Sequence, residues 1–388
     1  MSIVGKIYRG IELLFRFSVY ALSHVSPRSD DLVVCTADPS GRFAENPKYV
    51  YLGLREREDI DAVWLARADS TANQLSDHGL PVQRGGTLGA KWTLLRAGTV
   101  IISHDIVGWE LLGGATIVQT WHGNPLKQIG RDTDDFSPLR QWVQDYILRD
   151  WDVVTVTGSG TPKQTFTSAF GLSDDDLAVT GSPRNDPLYH DVEYSELDGL
   201  DEHAEWRTFI SNNRCILYMP TWRRGTHGAD GAEFDAHGLD FDTVGSFCEE
   251  HDLIFLVKLH PSESSDVGDY EHVLELPTST DIYDILSEVE VLITDYSSVY
   301  FDYLLVDSPI VFYPYDLDSF SSGKGFYFEY DEVTPGRKAF TQPELLTAID
   351  EILSGNDTYV DERADLRNEF FDHQDGHSTQ RLIDRVLS

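Results

Sequence analysis

The sequence contains little positive charge. Of its 388 residues, 30 are lysine or arginine and 66 are aspartate or glutamate, which gives a formal net charge of −36 at pH 7. A surface this acidic repels the phosphate backbone and excludes a general nucleic-acid binder, although local basic residues can still line a cleft for a small anion. Lysine occurs at only eight positions, so a lysine inside a motif is more informative than usual.

Several familiar signatures are also missing. The three cysteines, Cys35, Cys215 and Cys248, form no CxxC pair, so the sequence indicates buried free thiols and a reducing, cytoplasmic compartment rather than a disulfide framework. No apolar run is long enough to span a bilayer. The GxSxG, GxGxxG and Walker A patterns are absent, which removes the usual support for an elbow serine, a Rossmann dinucleotide site or a P-loop. No cofactor is expected, and the aspartate clusters lack the spacing of a metal site.

The acidic residues are dispersed along the chain rather than collected in a tail. Dispersed acid with scarce lysine predicts a protein adapted to high salt, where screening reduces the repulsion between like charges.

The N-terminal segment differs from the rest of the chain. Residues 3–24 place apolar side chains at helical spacing, and three basic residues there oppose a single acidic one, Glu12. This pattern suits an amphipathic helix lying on a membrane surface, and equally an ordinary helix packed on the fold. The distributed charge and the lack of a cleavage site argue against a signal peptide.

Short apolar runs separated by helix-length segments recur along the chain. They lie at 31–37, 61–66, 99–103, 115–120, 152–157, 176–180, 214–219, 253–259, 289–294 and 309–313, with a further apolar segment at 49–53. A strand is also expected after Gly79, and a helix over 138–150. This alternation predicts an α/β protein with parallel sheets covered on both faces. The acidic stretch 187–206 reads as a connector between two lobes of similar size that flank a cleft. The predicted divisions are an N-terminal helix over 1–30, a first lobe over 31–200 and a second over 201–388.

Histidines and the rare basic residues follow the predicted strands. In doubly wound sheets ligands bind where parallel strands end. The candidate substrate-binding residues at or near these positions are Gly123, Lys127, Arg184, Thr221, Arg223, Lys258, Asp295, Ser297, Ser298, Asp302 and Lys324. Some of the basic members are equally suited to surface salt bridges in so acidic a protein.

Two histidines are the candidate catalytic residues. His122 precedes a glycine at a strand end, and an imidazole there suits a general base acting on a hydroxyl, or else a hydrogen bond within a turn. Lys258 and His260 are two apart on one strand, so both side chains point to the same face, where they can meet a phosphate or form a surface pair.

The 294–298 segment, Thr-Asp-Tyr-Ser-Ser, comes where a helix is expected to start. Hydroxyls at that position cap the helix, and the free N–H groups of a helix start also bind phosphate. The two roles are compatible at Ser297 and Ser298.

Taken in order, these motifs carry a resemblance. WHGNPLK, GSPRND, YMPTWR, VKLHP, TDYSSVYFDY with PIVFYPYDLD, and GKGFYF resemble the CDP-glycerol glycerophosphotransferase family, which includes teichoic-acid primases and polymerases. The resemblance covers roughly residues 100–388. Lys324 stands where the family commonly has arginine, and the DG-x-x-[ST]-x-R motif appears at 375–381. The acidic surface departs from the basic membrane-facing surface of the family.

The resemblance implies a GT-B arrangement of two Rossmann-like lobes on the inner face of the cell membrane. It also implies transfer of glycerol phosphate, or a related polyol phosphate, from a CDP-polyol donor to a glycan, a lipid-linked glycan or a polyol-phosphate chain, with release of CMP. By the same resemblance, His122 and His260 match the essential histidines and Ser297 and Ser298 hold the donor phosphates. Two alternatives stay open: a GT-B glycosyltransferase that uses a nucleotide sugar, and a non-catalytic nucleotide- or glycan-binding peripheral membrane protein.

Overall fold

The structure is a computed structural model that describes residues 3–37, 42–104, 108–133, 151–198, 202–221, 238–260, 267–268, 270–278, 280–317 and 325–387. The helices are α1 (Ile3–Ser23), α2 (Glu45–Leu54), α3 (Asp69–Asp77), α4 (Leu88–Arg96), α5 (Thr161–Phe170), α6 (His203–Ser211), α7 (Phe241–His251), α8 (Val299–Tyr303), α9 (Gln342–Leu353), α10 (Val360–Phe370) and α11 (Ser378–Val386). A helix suggested by the sequence over 138–150 lies outside the described residues.

Two parallel sheets form the framework. The strands are β1 (Ser29–Thr36), β2 (Asp61–Ala66), β3 (Val82–Arg84), β4 (Ala97–Ile102), β5 (Thr116–Gln119), β6 (Val153–Val156), β7 (Leu177–Val179), β8 (Cys215–Met219), β9 (Ile254–Lys258), β10 (Val273–Leu276), β11 (Val289–Thr294), β12 (Ile310–Phe312) and β13 (Arg337–Lys338). The first sheet has the order β3-β2-β1-β4-β5-β6-β7, and the second has the order β10-β9-β8-β11-β12-β13. The predicted α/β fold with two Rossmann-like lobes is therefore confirmed.

The strand order reverses once in each sheet, between β1 and β4 and between β8 and β11. At such a point the connections leave toward opposite faces of the sheet and open a crevice at the carboxyl ends of the strands. The residues that follow β1, β4, β8 and β11 are therefore placed to form a binding site.

Helix α2 replaces what the sequence shows only as an apolar segment at 49–53. Eight of its ten residues are buried, so its sequence lacks the apolar and polar faces that usually mark a helix. Two short strands, β10 and β13, also lie outside the predicted runs. A glutamate interrupts the apolar residues of β10, and β13 consists of one arginine and one lysine.

Helix α11 follows the second lobe in sequence but packs on the first. Leu382 and Ile383 belong to the same buried cluster as Trp64 of β2. The first backbone N–H groups of the helix, at Ser378 and Thr379, donate to the Asp186 carboxylate at 2.9 and 2.8 Å. A carboxylate at a helix N-terminus satisfies unpaired N–H donors and complements the helix dipole. Asp186 therefore links the 182–186 motif to the 375–381 motif through hydrogen bonds.

Helix α1 packs on the first lobe with part of its surface. Arg16 pairs with Glu110 at 2.8 Å, and the Phe17 ring lies 5.2 Å from that of Trp109. Leu14, Phe15 and Leu22 remain 69, 68 and 69% exposed. The helix therefore packs on the fold and still presents apolar side chains to the outside. In the part of the chain that the structure describes, no helix combines the length and hydropathy that a membrane crossing needs.

Candidate active site

A cavity of about 480 Å³ lies between the carboxyl ends of the two sheets. The first lobe lines it with Arg42, Ala44, Glu45, His104, His122 and Arg184, and the second with Met219, Pro220, Lys258, Leu259, His260, Thr280, Asp281, Ile282, Tyr283, Ser297, Ser298 and Val299. The structure therefore brings His122 and His260, from different lobes, to one opening, together with four of the other candidate residues.

His122 is held by a backbone carbonyl and by aromatic stacking. Its Nδ1 lies 3.2 Å from the carbonyl oxygen of Ser103, which can only accept, so Nδ1 carries the proton and Nε2 is the basic nitrogen. The ring stacks on Trp121 and His104, with centroid distances of 4.6 and 4.2 Å. Burial, reinforced by His104, lowers the pKa of His122 to about 4, against the opposing effect of Glu45. The imidazole is therefore neutral at neutral pH, as a general base requires.

The backbone around His122 is unusual. Trp121 has a φ of 54° and Gly123 a φ of 123°, and left-handed backbone is costly for a bulky side chain. A Cβ at Gly123 would lie 2.7 Å from Nη2 of Arg184 and 3.3 Å from Oγ of Ser298. Glycine here lets the loop of the first lobe approach Ser298 of the second.

Lys258 and His260 form the basic side of the cavity. Lys258 Nζ donates to the carbonyls of Thr278 and Leu259 at 2.6 and 3.2 Å. Burial lowers the pKa of Lys258 to about 7, and the positive charge of Arg42 adds to that shift. Burial, Arg42 and Lys258 also lower the pKa of His260. Three basic groups, Arg42, Lys258 and His260, therefore lie near one another, where an anionic ligand would favour their charged forms.

Ser297 and Ser298 line the cavity where β11 ends. Ser298 occupies the N-cap position of α8, but its side chain makes no capping hydrogen bond. Its hydroxyl is therefore not used by the five-residue helix that follows.

Asp295 and Thr221 hold strand ends together instead of lining the cavity. The buried Asp295 carboxylate accepts from the backbone N–H groups of Thr221, at 2.8 Å, and Tyr296, at 2.5 Å. The contact ties the end of β8 to the end of β11, beside the cavity residues Pro220 and Ser297.

Arg184 is buried between two carboxylates. Its guanidinium donates to Glu45 at 2.5 Å and to Asp302 at 2.6 Å, and lies 4.5 Å from the centre of the Tyr283 ring. Although burial opposes the charge, Asp302, Tyr283 and Glu45 raise the pKa of Arg184 above its ordinary value. Asp302 also accepts from Asn185 at 2.9 Å. The two candidate residues Arg184 and Asp302 thus bind each other across the lobes.

Lys127 lies outside the cavity lining. Its backbone forms an antiparallel bridge with Phe326, and the neighbouring Gln128 N–H donates to the Gly325 carbonyl at 2.9 Å. This pairing joins the loop after His122 to the second lobe. Of the remaining candidates, Arg223 and Lys324 lie outside the described residues.

The sequence-based set of candidates omits four charged or histidine residues of the cavity: Arg42, Glu45, His104 and Asp281. Glu45 has a φ of 65°, which only the folded backbone reveals. His104 follows a predicted strand, as His122 does, and this was the available signal. In the described part of the chain, no group of three or more His, Cys, Asp or Glu side chains is placed to hold a metal ion.

Comparison with known proteins identifies the chain. Residues 18–388 match the sequence profile of the family described as CDP-Glycerol:Poly(glycerophosphate) glycerophosphotransferase, and the chain belongs to this family. The chain is accordingly an enzyme of the glycerol-phosphate transferase class.

Two curated relatives and one solved structure show which proteins this chain is similar to. A teichoic acid glycerol-phosphate transferase of Staphylococcus aureus is 27% identical, over 97% of this chain and 98% of its own. The teichoic acid ribitol-phosphate polymerase TarK of the same species is 25% identical, over 95% and 70%. The structure of the wall teichoic acid polymerase TagF superposes with a TM-score of 0.77 at 20% identity, covering 99% of this chain and 96% of that one, which shows that the fold is shared.

Proposed function

We propose that the protein transfers glycerol phosphate from CDP-glycerol to a hydroxyl group of a glycan, a lipid-linked glycan or a growing polyol-phosphate chain, and releases CMP. The observation that carries this proposal is the cavity itself, which is lined by a neutral imidazole from one lobe, His122, and by two basic residues from the other, Lys258 and His260. A neutral base and a cationic binding surface are the two parts that phosphoryl transfer to a hydroxyl requires.

In the proposed reaction His122 Nε2 takes the proton of the acceptor hydroxyl. The hydroxyl oxygen attacks the β-phosphorus in line, a new O–P bond forms, and the bond from that phosphorus to the bridging oxygen breaks. The bond electrons leave with CMP. Holding the reactants in line supplies much of the rate enhancement in reactions of this kind.

Charge on the diphosphate and on departing CMP is offset by Lys258, His260 and Arg42. The hydroxyls of Ser297 and Ser298 donate hydrogen bonds on the same side. Donors fixed before the reaction stabilise developing charge without reorganisation. Burial lowers the pKa of Lys258 to about 7, and a bound diphosphate favours its protonated form because the ligand is anionic. In this scheme Arg184 and Asp302 keep the lobes in register rather than contacting the donor.

We also propose that the protein acts at the inner face of the cell membrane. The exposed side chains of Leu14, Phe15 and Leu22 on α1, and of Leu88 and Trp92 on α4, support this placement. Both helices contact the short 3₁₀ helix at Trp109–Leu111, and clustered exposed apolar side chains favour insertion into the headgroup region.

The donor is tested with purified protein, membrane extract and a panel of CDP-glycerol, CDP-ribitol, UDP-sugars and GDP-sugars. We expect release of CMP with CDP-glycerol. Preference for CDP-ribitol would identify the protein as a ribitol-phosphate transferase. This is the second candidate function, because the chain is similar to TarK. Release of UDP or GDP instead of CMP would contradict the proposal.

Variants then test the site. We expect His122→Ala to reduce turnover by about 10²–10⁴ and His260→Ala by about 10²–10³, while CDP-glycerol binding is largely retained. The matched control is His78→Ala, because His78 is exposed and lies outside the cavity. Full turnover in either active-site variant would contradict the assignment.

Membrane association is tested by flotation with phospholipid vesicles, with and without anionic lipid. Phe15→Ser and Trp92→Ser should reduce the bound fraction. Phe340→Ser, which changes an exposed phenylalanine of the second lobe, is the control. Equal flotation of all three variants and the wild type would contradict the proposed surface.

A further inference from the structure

Two histidine rings are stacked at the cavity wall. The imidazoles of His104 and His122 have centroids 4.2 Å apart and planes only 13° from parallel. His104 lies just after β4 and His122 just after β5, and these strands are neighbours in the first sheet. Both rings line the cavity, so adjacent strand ends deliver two imidazoles to one place.

One buried residue fixes both rings. Ser103 is fully buried, its hydroxyl lies 3.1 Å from Nδ1 of His104, and its carbonyl oxygen lies 3.2 Å from Nδ1 of His122. His122 also stacks on Trp121 with an interplanar angle of 20°. The plane of the His122 ring is thus set by stacking on both neighbours, and its Nδ1 is set by Ser103.

Charge at His122 is controlled by its surroundings. The charged or titratable groups that face it are His104 at the end of β4, Glu45 at the start of α2 and Arg184 after β7. A positive charge on His104 or Arg184 disfavours a second positive charge on His122, whereas Glu45 favours it. Arg184 is already neutralised by two carboxylates, as described above, which leaves His104 as the partner in direct ring contact.

We propose that His104 is a positioning residue for the transfer reaction, stacked on His122 so that the ring keeps its orientation and stays unprotonated until the acceptor hydroxyl arrives. This inference rests on the proposed function, in which His122 is the base. A ring that is fixed before the reaction loses no orientational freedom in the transition state. A base that resists protonation by solvent is available over a wider pH range.

Two variants separate the two effects. His104→Phe keeps a flat ring in the stack but removes the charge. We expect it to lose less turnover at neutral pH than His104→Ala does, and to move the acid limb of the kcat/KM profile to higher pH by about half a unit or more. His104→Ala removes the ring as well, and we expect kcat to fall by about tenfold or more with little change in KM. Thermal unfolding checks that both variants fold, and His78→Phe is the control.

The His122 titration is followed in parallel by NMR of protein labelled at the histidine rings, without substrate. We expect His122 to titrate at higher pH in both His104 variants than in the wild type. An unchanged His122 titration in folded His104→Phe, or equal losses of kcat in both variants without any pH shift, would overturn the inference. If the wild type released no CMP from any donor, the proposed function would fail, and the NMR titration alone would decide whether His104 controls His122.

Discussion

The Nζ of Lys48 lies 2.8 Å from Oδ2 of Asp281, in an ion pair between α2 of the first lobe and the cavity wall of the second. Both side chains are almost completely buried, at 0 and 2% exposure. Asp281 also accepts from the Tyr49 hydroxyl at 3.0 Å, and Lys48 donates to the Ser195 carbonyl at 2.6 Å. This buried, hydrogen-bonded pair fixes the wall of the cavity to the opposite lobe.

Removal of Lys48 should destabilise the protein strongly. Lys48→Met leaves a buried carboxylate without its partner, which costs about 3–5 kcal/mol, measured by denaturant unfolding. Lys163→Met is the matched control, because its partner Asp174 is 83% exposed and Lys163 itself is partly exposed, and pairs that reach solvent contribute about 0–1 kcal/mol. The double variant Lys48→Met/Asp281→Leu should recover part of the loss. Equal effects of the two lysine substitutions would refute this role.

His203 should make stability depend on pH. It is buried between Asp198 and Asp284, at 2.9 Å from each carboxylate. Burial alone would lower its pKa, but these hydrogen bonds raise the pKa of His203 to about 9. Since the unfolded value is about 6.5, the stabilisation is complete below pH 6.5 and is lost as the pH rises through 9, amounting to at most roughly 3 kcal/mol.

The His203 prediction is checked by unfolding at pH 6, 7.5 and 9. His203→Gln keeps a hydrogen-bonding side chain without the charge, so its stability should fall less than that of the wild type across this range. His78→Gln, an exposed histidine on α3's C-terminal side, should follow the wild type. A decline of the same size in His203→Gln and in the wild type would rule out His203 as the source.

Gly123→Ala should damage the site beyond its effect on the backbone. Residues with positive φ cost about 1–2 kcal/mol when glycine is replaced, and the new Cβ would also lie 2.7 Å from the Arg184 guanidinium. We expect CMP release to fall at least about tenfold, because the His122 loop must move. Gly79→Ala is the control, since Gly79 has a φ of 69° with nothing within 4 Å of the added Cβ. Similar turnover in the two variants would show that the contact is unimportant.

The acidic surface should make the protein more stable in salt. A net charge of −36 creates repulsion that salt screens, so Tm should rise between low and molar KCl. Sucrose of equal osmolality is the control for solvent exclusion, because it does not screen charge. A Tm that is flat or falling in KCl would contradict the prediction of adaptation to high salt.

Strand positions could be predicted from the sequence because buried parallel strands are short, continuous apolar runs. The strand β11, for example, coincides with the predicted run 289–294. Helix α2 is not evident in the sequence, because burial on most sides removes the periodic alternation of apolar and polar residues that marks a helix. The return of α11 to the first lobe was also beyond prediction, since nothing near Leu382 indicates that it packs near Trp64.

The motifs predicted which loops meet, but not the partner of each side chain. His122, Lys258, His260, Ser297 and Ser298 do line one cavity. Arg184 reads in sequence as a phosphate ligand, because the carboxylate of Glu45 that binds it lies 139 positions away in the chain. Contacts over such separations depend on how distant segments of the chain fold together, which local pattern does not encode.

The docking of α11 has a consequence for protein production. Leu382 and Ile383 fill a hydrophobic cluster of the first lobe, yet they are translated only after the second lobe has been made. The first lobe therefore cannot complete this cluster until the rest of the polypeptide has been synthesised. A fragment ending before residue 378 would expose that apolar surface. A chain produced for study should therefore keep both lobes and this helix together.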